Sequence, residues 1–426
     1  MLDRTAAPPL HEISAIDLPT AAVQKFANGA RMHCIANHTQ PVVRLDIVFN
    51  AGKWYEQQDG LSLMTSKLLL EGTHKQTAKQ IADTIAYYGA SLECNQGYDK
   101  ASLTLYCLSK HLEKLLPLVC EVLTIPSFPE DEFKLLRQRT IQNIAIQKQK
   151  NSYLATERLT QNVYGPQHPY CFGLDADTLQ NLTIDQIKSF YQRAYNMAEA
   201  EVFLCGDFGQ THRNMLSEMI GTIPATGPAT EPIAGHGKAQ GLQKDYIEMP
   251  DSLQSAVRVG CEWPLMHHPD YPRLLVLNEV LGGYFGSRLM KNIREDKGFT
   301  YGIYSTVSPK IHQNLFYIGT DVNFENTQDT LQEIYKEMQI LQQELVPEDE
   351  LDTVKNYMAG KFLNDVSNIF EQCDKYKNVI LHGLSPDYYN RLLSAIAHIT
   401  APELQQLANQ YWNTNEMYEV VAGKKK

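Results

Sequence analysis

The chain has 426 residues, too many for one ordinary hydrophobic core, so two or more domains are expected. Apolar content of 43% with 20% charged residues fits a soluble globular protein. The net charge of −11 argues against a nucleic-acid partner, and Lys424-Lys425-Lys426 is too short a run to reverse it.

The N-terminus has no basic-then-apolar pattern, so no signal peptide is expected. No apolar run is long enough to span a membrane. A cytoplasmic protein is the expectation, or an exported one if a leader has been trimmed. Residues 1 to 24 read as an extended arm with Pro8, Pro9 and Pro19. Lys25 to Ala36 and Val42 to Asn50 alternate as strands, joined by a polar turn from Asn37 to Pro41. A first core helix follows at Asp59 to Thr73, with Asp59 as its N-cap and Gly72 as its left-handed end.

A second helix is expected at Thr77 to Tyr88, ended by Gly89, and then a hairpin from Ser91 to Cys94 and Ala101 to Leu108. Helices follow at Ser109 to Val122 and at Glu130 to about Tyr164, the latter interrupted near Asn151. Another helix is expected at Thr183 to Tyr195, a buried strand at Ala200 to Gly206, and a helix at Thr211 to Ile220. Residues 222 to 241 shift to Pro, Gly and Ala, a linker signature that contains His236.

Beyond this linker the first half repeats. PEDEFKLLRQRTI at 129 recurs as PEDELDTVKNYMA at 347, an offset of 218, and VVRLDIVF at 42 matches AVRVGCEW at 256. Helices are expected at Tyr271 to Leu281 and Thr327 to Gln343, and extended segments at Thr300 to Val307 and Leu315 to Asn323. The shared order predicts a duplicated α+β lobe, each copy a mixed or antiparallel sheet with helices on one face. The lobes are expected at 1–221 and 242–426.

Other chemistry-bearing residues have plain readings. The cysteines at 34, 94, 107, 120, 171, 205, 261 and 373 form no C-x-x-C pair and read as reduced thiols, mostly in the core. His33 and His38 flank Cys34, but one falls in a strand and the other in a turn. Glu71 and His74 are only two ligands for a metal, with the helix ending between them. His267 and His268 read as loop. Gly282, Gly283 and Gly286 lack the Lys-Ser/Thr of a phosphate loop and read as a tight turn.

The run FNAGKWYEQQDGLSLMTSKLLLEGT, from Phe49 to Thr73, resembles the opening of the insulinase/pitrilysin zinc peptidases, which include the mitochondrial processing peptidase. In that family the helix carries H-x-x-E-H. Two imidazoles on one helix face share Zn²⁺, and the Glu activates its water. The matching positions here hold Leu63, Ser66 and Lys67. Leucine has no donor, lysine repels the ion, and serine is a poor base. The third ligand, a Glu on a later helix, is matched by Asn143, or by Gln142 if the register slips by one. The resemblance therefore implies a mitochondrial processing peptidase-like fold whose zinc site is degenerate, with no catalytic residue or metal in this chain.

LGGYFGSRLMKNIREDKGFTYGIYS, from Leu281 to Ser305, resembles the family's second functional segment. There an Arg and a Tyr seven residues later bind the substrate backbone, and this chain has them as Arg294 and Tyr301. Both side chains are suitable donors to a peptide carbonyl or oxyanion. The resemblance implies a non-catalytic subunit of a heterodimeric zinc peptidase. Such a subunit closes a peptide-binding chamber against a partner that holds the zinc; a homodimer is a second arrangement. An alternative is a purely structural protein, like the core subunits of the respiratory cytochrome complex. A peptidase active by itself is a third reading, against which Leu63, Ser66 and Lys67 speak directly.

Overall fold

The computed structural model describes residues 18–227, 230–232 and 241–425. Pro8, Pro9, His236 and much of the expected linker lie outside the described residues. The strands of the first half are β1 (Ala22–Lys25), β2 (Arg31–Ala36), β3 (Val42–Phe49), β4 (Ser91–Gln96), β5 (Ala101–Leu108) and β6 (Glu201–Gly206). They form one sheet in the order β1-β2-β6-β3-β5-β4, antiparallel except for β2 beside β6. The single strand expected from Lys25 to Ala36 is instead a hairpin. Asn28-Gly29 reverses the chain, Gly29 at φ 102°, and Lys25 pairs with Arg31.

The helices of this half are α1 (Leu61–Leu68), α2 (Ala78–Tyr87), α3 (Leu112–Thr124), α4 (Glu130–Gln147), α5 (Asn151–Tyr164), α6 (Ala176–Gln180), α7 (Ile184–Ala194) and α8 (Gln210–Met219). The expected break near Asn151 is the turn between α4 and α5. Thr77 caps α2 through a capping box with Gln80, and Gly89 leaves that helix at φ 58°. One face of the sheet buries Met32, Leu45, Ile47 and Leu105 against Met64, Leu68, Leu116, Val119 and Phe190 of α1, α3 and α7.

The second half has the strands β7 (Lys244–Glu248), β8 (Gln254–Trp263), β9 (Ile303–Ser308), β10 (Asn314–Asn323) and β11 (Tyr418–Gly423). Their order, β7-β11-β8-β10-β9, repeats β2-β6-β3-β5-β4 strand for strand, including one parallel pair at the same place. The helices are α9 (Tyr271–Asn278), α10 (Thr327–Gln343), α11 (Glu348–Asn364), α12 (Ile369–Leu381), α13 (Tyr388–His398) and α14 (Ala401–Tyr411). Two π-helical turns, Glu279–Gly283 and Met290–Asp296, join α9 to β9. Gly282 and Gly283 lie inside the first of these rather than in a tight turn. A Cβ on Gly282 would stand 2.6 Å from the Ser305 amide, so the helical turn approaches β9 too closely for a side chain.

Each lobe's own helices lie on one face of its sheet. The second face is taken by a helix from the other half. α5 places Ala155, Leu159 and Val163 on β8 and β11, beside Ala256, Val420 and Ala422. α12 places Cys373, with Ile369 and Tyr376, over Ile35, Val48 and Phe203 of the first sheet. Charged strand residues meet these visiting helices. Arg44 of β3 pairs with Asp46 at 3.1 Å and with Asp374 of α12 at 2.7 Å, and Lys377 reaches Asp46 at 3.3 Å. Arg258 holds the matching place in β8. It donates to the Thr156 hydroxyl at 3.1 Å, to the Ser152 carbonyl at 3.5 Å and to Asp321 at 3.4 Å. His33 also belongs to this contact, lying between the Tyr376 hydroxyl at 2.8 Å and Glu201 at 2.9 Å.

The loop from Lys310 to His312 locks the halves at a third place. Lys310 is buried among the rings of Tyr98, Tyr164 and Tyr170, with its Nζ 4.9 to 5.4 Å from their centroids. The Ile311 amide donates to Asp99, and the His312 ring stacks on Trp54 with centroids 3.9 Å apart. Burial lowers the Lys310 ammonium to about 8, against the pull of Asp99.

Two measurements test these contacts. Arg44→Ala strands the buried Asp46 with Lys377 as its remaining cation and is expected to destabilise the chain by about 3 kcal/mol in urea denaturation; a loss below about 1 kcal/mol would show that Lys377 suffices. For Lys310 the folded value lies below the unfolded 10.5. Its contribution is therefore complete above about 10.5 and lost as pH falls through about 8. Lys310→Met removes that dependence, so its stability relative to the parent should rise by about 3 kcal/mol between pH 10.5 and pH 8. A flat difference would mean that the ammonium is not desolvated.

Candidate functional site

Helix α1 starts differently from the sequence expectation. Its N-cap is Gly60 at φ 94°, and Asp59 does not cap it. The chain turns at Gly60, where a Cβ would stand 2.5 Å from Leu179, and Asp59 is carried away from the helix end. Asp59 pairs instead with Lys53 at 2.8 Å and accepts the Asp175 amide. The longer Glu56 reaches the first turn: its carboxylate accepts from the Ser62 amide at 2.9 Å, the Ser62 hydroxyl at 2.8 Å and the Gly60 amide at 3.3 Å. Burial, with Asp59 alongside, pushes the Glu56 carboxyl up to about 8 against the pull of Lys53. α1 ends at Leu68, and Gly72, at φ 145°, lies beyond it in a bridge with Thr77.

The side chains at the zinc-motif positions face different surroundings. Leu63 is half-buried. Ser66 is buried and donates to the Leu63 carbonyl at 2.9 Å, and Lys67 is exposed. α1 packs against α4 and against the edge strand β4. On α4, Asn143 and Gln142 are both exposed, and Asn143 accepts from Gln147 at 3.5 Å. With one apolar side chain, one self-bonded hydroxyl and one cation, these positions do not fit zinc. Among the described residues no three His, Cys, Asp or Glu side chains are grouped to hold a metal ion. Glu71 is half-buried near Glu132 and Arg139 and His74 is exposed, while His38 pairs with Asp207 at 2.6 Å. His267 and His268 lie in the loop before α9.

Arg294 and Tyr301, seven residues apart in sequence, line one cleft of about 820 Å³ with Phe285, Thr300, Asp321 and Asn323. The π-helical turn Met290–Asp296 carries Arg294, and its guanidinium sits 4.4 Å from the Phe285 ring centroid. Its nearest acid, Glu295, is loosely placed at 3.9 Å. Thr300 is pinned by its hydroxyl, which donates to the Asp321 carbonyl at 2.8 Å. The next residue, Tyr301, then projects outward and is 97% exposed. It precedes β9, so it is not part of a half-buried strand. β9 is the edge of its sheet, hydrogen-bonded to β10 alone. Every lining residue of the cleft comes from the second half.

Sequence reasoning missed Phe285, whose ring orients Arg294. The available signal was an exposed-type aromatic between two glycines nine residues upstream. It also left Arg288 unassigned. Arg288 makes two 2.9 Å bonds to Glu350 and ties this segment to the N-terminus of α11.

Comparison with known proteins gives two matches to one family. Residues 31–169 match insulinase (peptidase family M16), and residues 181–358 match the peptidase M16 inactive domain. The chain is 22% identical to the non-peptidase homolog YmxG of Helicobacter pylori, over 96% of this chain and 95% of that protein. It is 22% identical to the uncharacterized zinc protease YmxG of Bacillus subtilis, over 84% and 87%. A crystal structure of a peptidase M16 inactive domain from Pseudomonas fluorescens superposes with a TM-score of 0.87 at 25% identity, covering 95% of this chain and 98% of that one.

Rebuilding the motif tests the register. Leu63→His, Ser66→Glu, Lys67→His and Asn143→Glu together are expected to leave one zinc per chain after dialysis, counted by atomic absorption. If Gln142→Glu restores zinc in place of Asn143→Glu, the register is one residue off, and no zinc with either would refute the alignment of α1 with α4.

Proposed function

Because the chain belongs to the insulinase (M16) family of zinc peptidases, as an inactive homologue, we propose that it is the non-catalytic subunit of a two-chain peptidase. In this reading it supplies Arg294 and Tyr301 to a peptide held against a partner of the same family that carries the intact zinc motif. The observation that carries the reading is the cleft itself. It gathers a cation and a phenol just ahead of the edge strand β9, and every residue that lines it comes from the second half. A peptide added along β9 as an extra strand would pass Tyr301. Arg294 and Tyr301 donate hydrogen bonds to its carbonyl, and Phe285 keeps the guanidinium in place.

The surface around the cleft supports a covered rather than a bare site. Tyr301 and Phe285, which line it, are 97% and 64% exposed, an aromatic rim of the kind buried at protein contacts. The division into lobes at 1–221 and 242–426, joined by 222–241, belongs to the same proposal. Eight unpaired thiols support a reducing compartment such as the cytoplasm. Among the described residues no helix is long and apolar enough to cross a membrane.

Affinity purification of the full chain from its host is expected to bring down a chain of similar size carrying H-x-x-E-H. In that complex Arg294→Ala should lower peptide turnover about 100-fold while the two chains still co-purify. Unchanged turnover would assign the chain a purely structural role.

A further inference from the structure

The face of the first sheet that receives α12 carries two thiols. Cys205 lies in β6 and Cys373 in α12, and both are buried. The Cys205 thiol donates to the Ile369 carbonyl at 3.5 Å. In an α-helix that carbonyl faces the amide of the residue four positions on, here Cys373. The Cys205 sulfur therefore sits against the turn of α12 that bears the second thiol. The two thiols share one small buried cluster with Ile35, Val48 and Phe203.

The other half shows what packing alone demands at this crossing. Ala155 of α5 stands 218 residues before Cys373, and Ala422 of β11 falls where β6 has Cys205, VVAG against FLCG. Both alanines are fully buried in one cluster. A small side chain on each element is thus enough for the close approach, and the second sulfur-bearing position is not needed to fill space.

We propose that Cys205 and Cys373 are a redox-active pair that closes to a disulfide on exposure to hydrogen peroxide, joining the first sheet covalently to a helix of the second half. The Cys373 thiolate attacks one peroxide oxygen. The O–O bond breaks, a sulfenic acid forms and water leaves. The Cys205 sulfur then attacks the Cys373 sulfur; the S–S bond forms, the S–OH bond breaks and a second water leaves. Two thiols give up two electrons and two protons, and the peroxide takes them. The assignment of Cys373 as attacking group follows its surroundings. The neighbouring Cys205 thiol, Arg44 and Lys377 favour its thiolate against burial and Asp46, whereas proximity to Cys373 and burial hold the Cys205 thiol protonated.

The experiment treats the full-length protein with hydrogen peroxide, blocks the remaining thiols, and maps a non-reducing digest by mass spectrometry. The expected product is a peptide pair joined through Cys205 and Cys373, lighter by two hydrogens and reversed by dithiothreitol. A rise in Tm is expected with it, absent in Cys205→Ala and in Cys373→Ala. Both variants should fold, since alanine fills the same crossing in the other half. The proposal is overturned if the pair remains free when the partly exposed Cys120 and Cys261 are oxidised, or if Cys373→Ala still shows the Tm rise. Neither outcome bears on the peptidase-subunit reading, because no residue of this pair lines the Arg294 cleft.

Discussion

The structure depends on an exchange of helices between its two halves. A sheet needs both faces covered if its strands are apolar on both sides, and each half builds helices for only one face. α5, which follows the first PEDE helix, covers β8 and β11, and α12, which follows the second, covers β6. The interlock explains why strands β3 and β8 each carry an arginine at the same place. Arg44 and Arg258 point away from their own lobe's core and satisfy groups on the visiting helix. Removing one half would strip the other of a layer, expose the apolar sheet face beneath it and take away the arginine's partners on the visiting helix.

That constraint also fixes where chemistry is available. The faces of both sheets are occupied, so the free backbone of the molecule lies at the sheet edges. β4 borders α1, whose positions matched to the zinc motif hold no metal-binding group, and the edge strand β9 begins two residues after Tyr301 of the cleft. The duplicated lobe thus offers two edge sites of the same topology. At the first, the positions matched to the zinc motif hold a leucine, a serine bonded within its own helix, and a lysine. The other keeps an exposed phenol and a cation steadied by an aromatic ring.

Much of this was legible because it rests on local pattern. Period-2 alternation gave β3, a buried apolar run gave β6, apolar residues at helical spacing gave α2, and the PEDE repeat gave the duplication. The failures have local physical causes. A glycine at φ 94° took the cap of α1 from Asp59 and handed it to Glu56, four residues before Gly60. Asn28-Gly29 is a strong hairpin signal, but the apolar alternation on either side reads as one strand. The π-helical turns that aim Arg294 depend on i to i+5 bonding, which no propensity encodes.

The sequence by itself determined the family and the doubled lobe, and it singled out Leu63, Ser66, Lys67 and the pair Arg294 and Tyr301, because each is carried by residue identity at fixed spacing. Only the tertiary structure decided that the halves trade helices, that Arg294 and Tyr301 open onto one cleft, and that Cys205 and Cys373 meet. These are contacts between residues separated by up to hundreds of positions. They are set by which apolar faces must be buried together, and a one-dimensional pattern shows that a face is apolar without showing what will cover it.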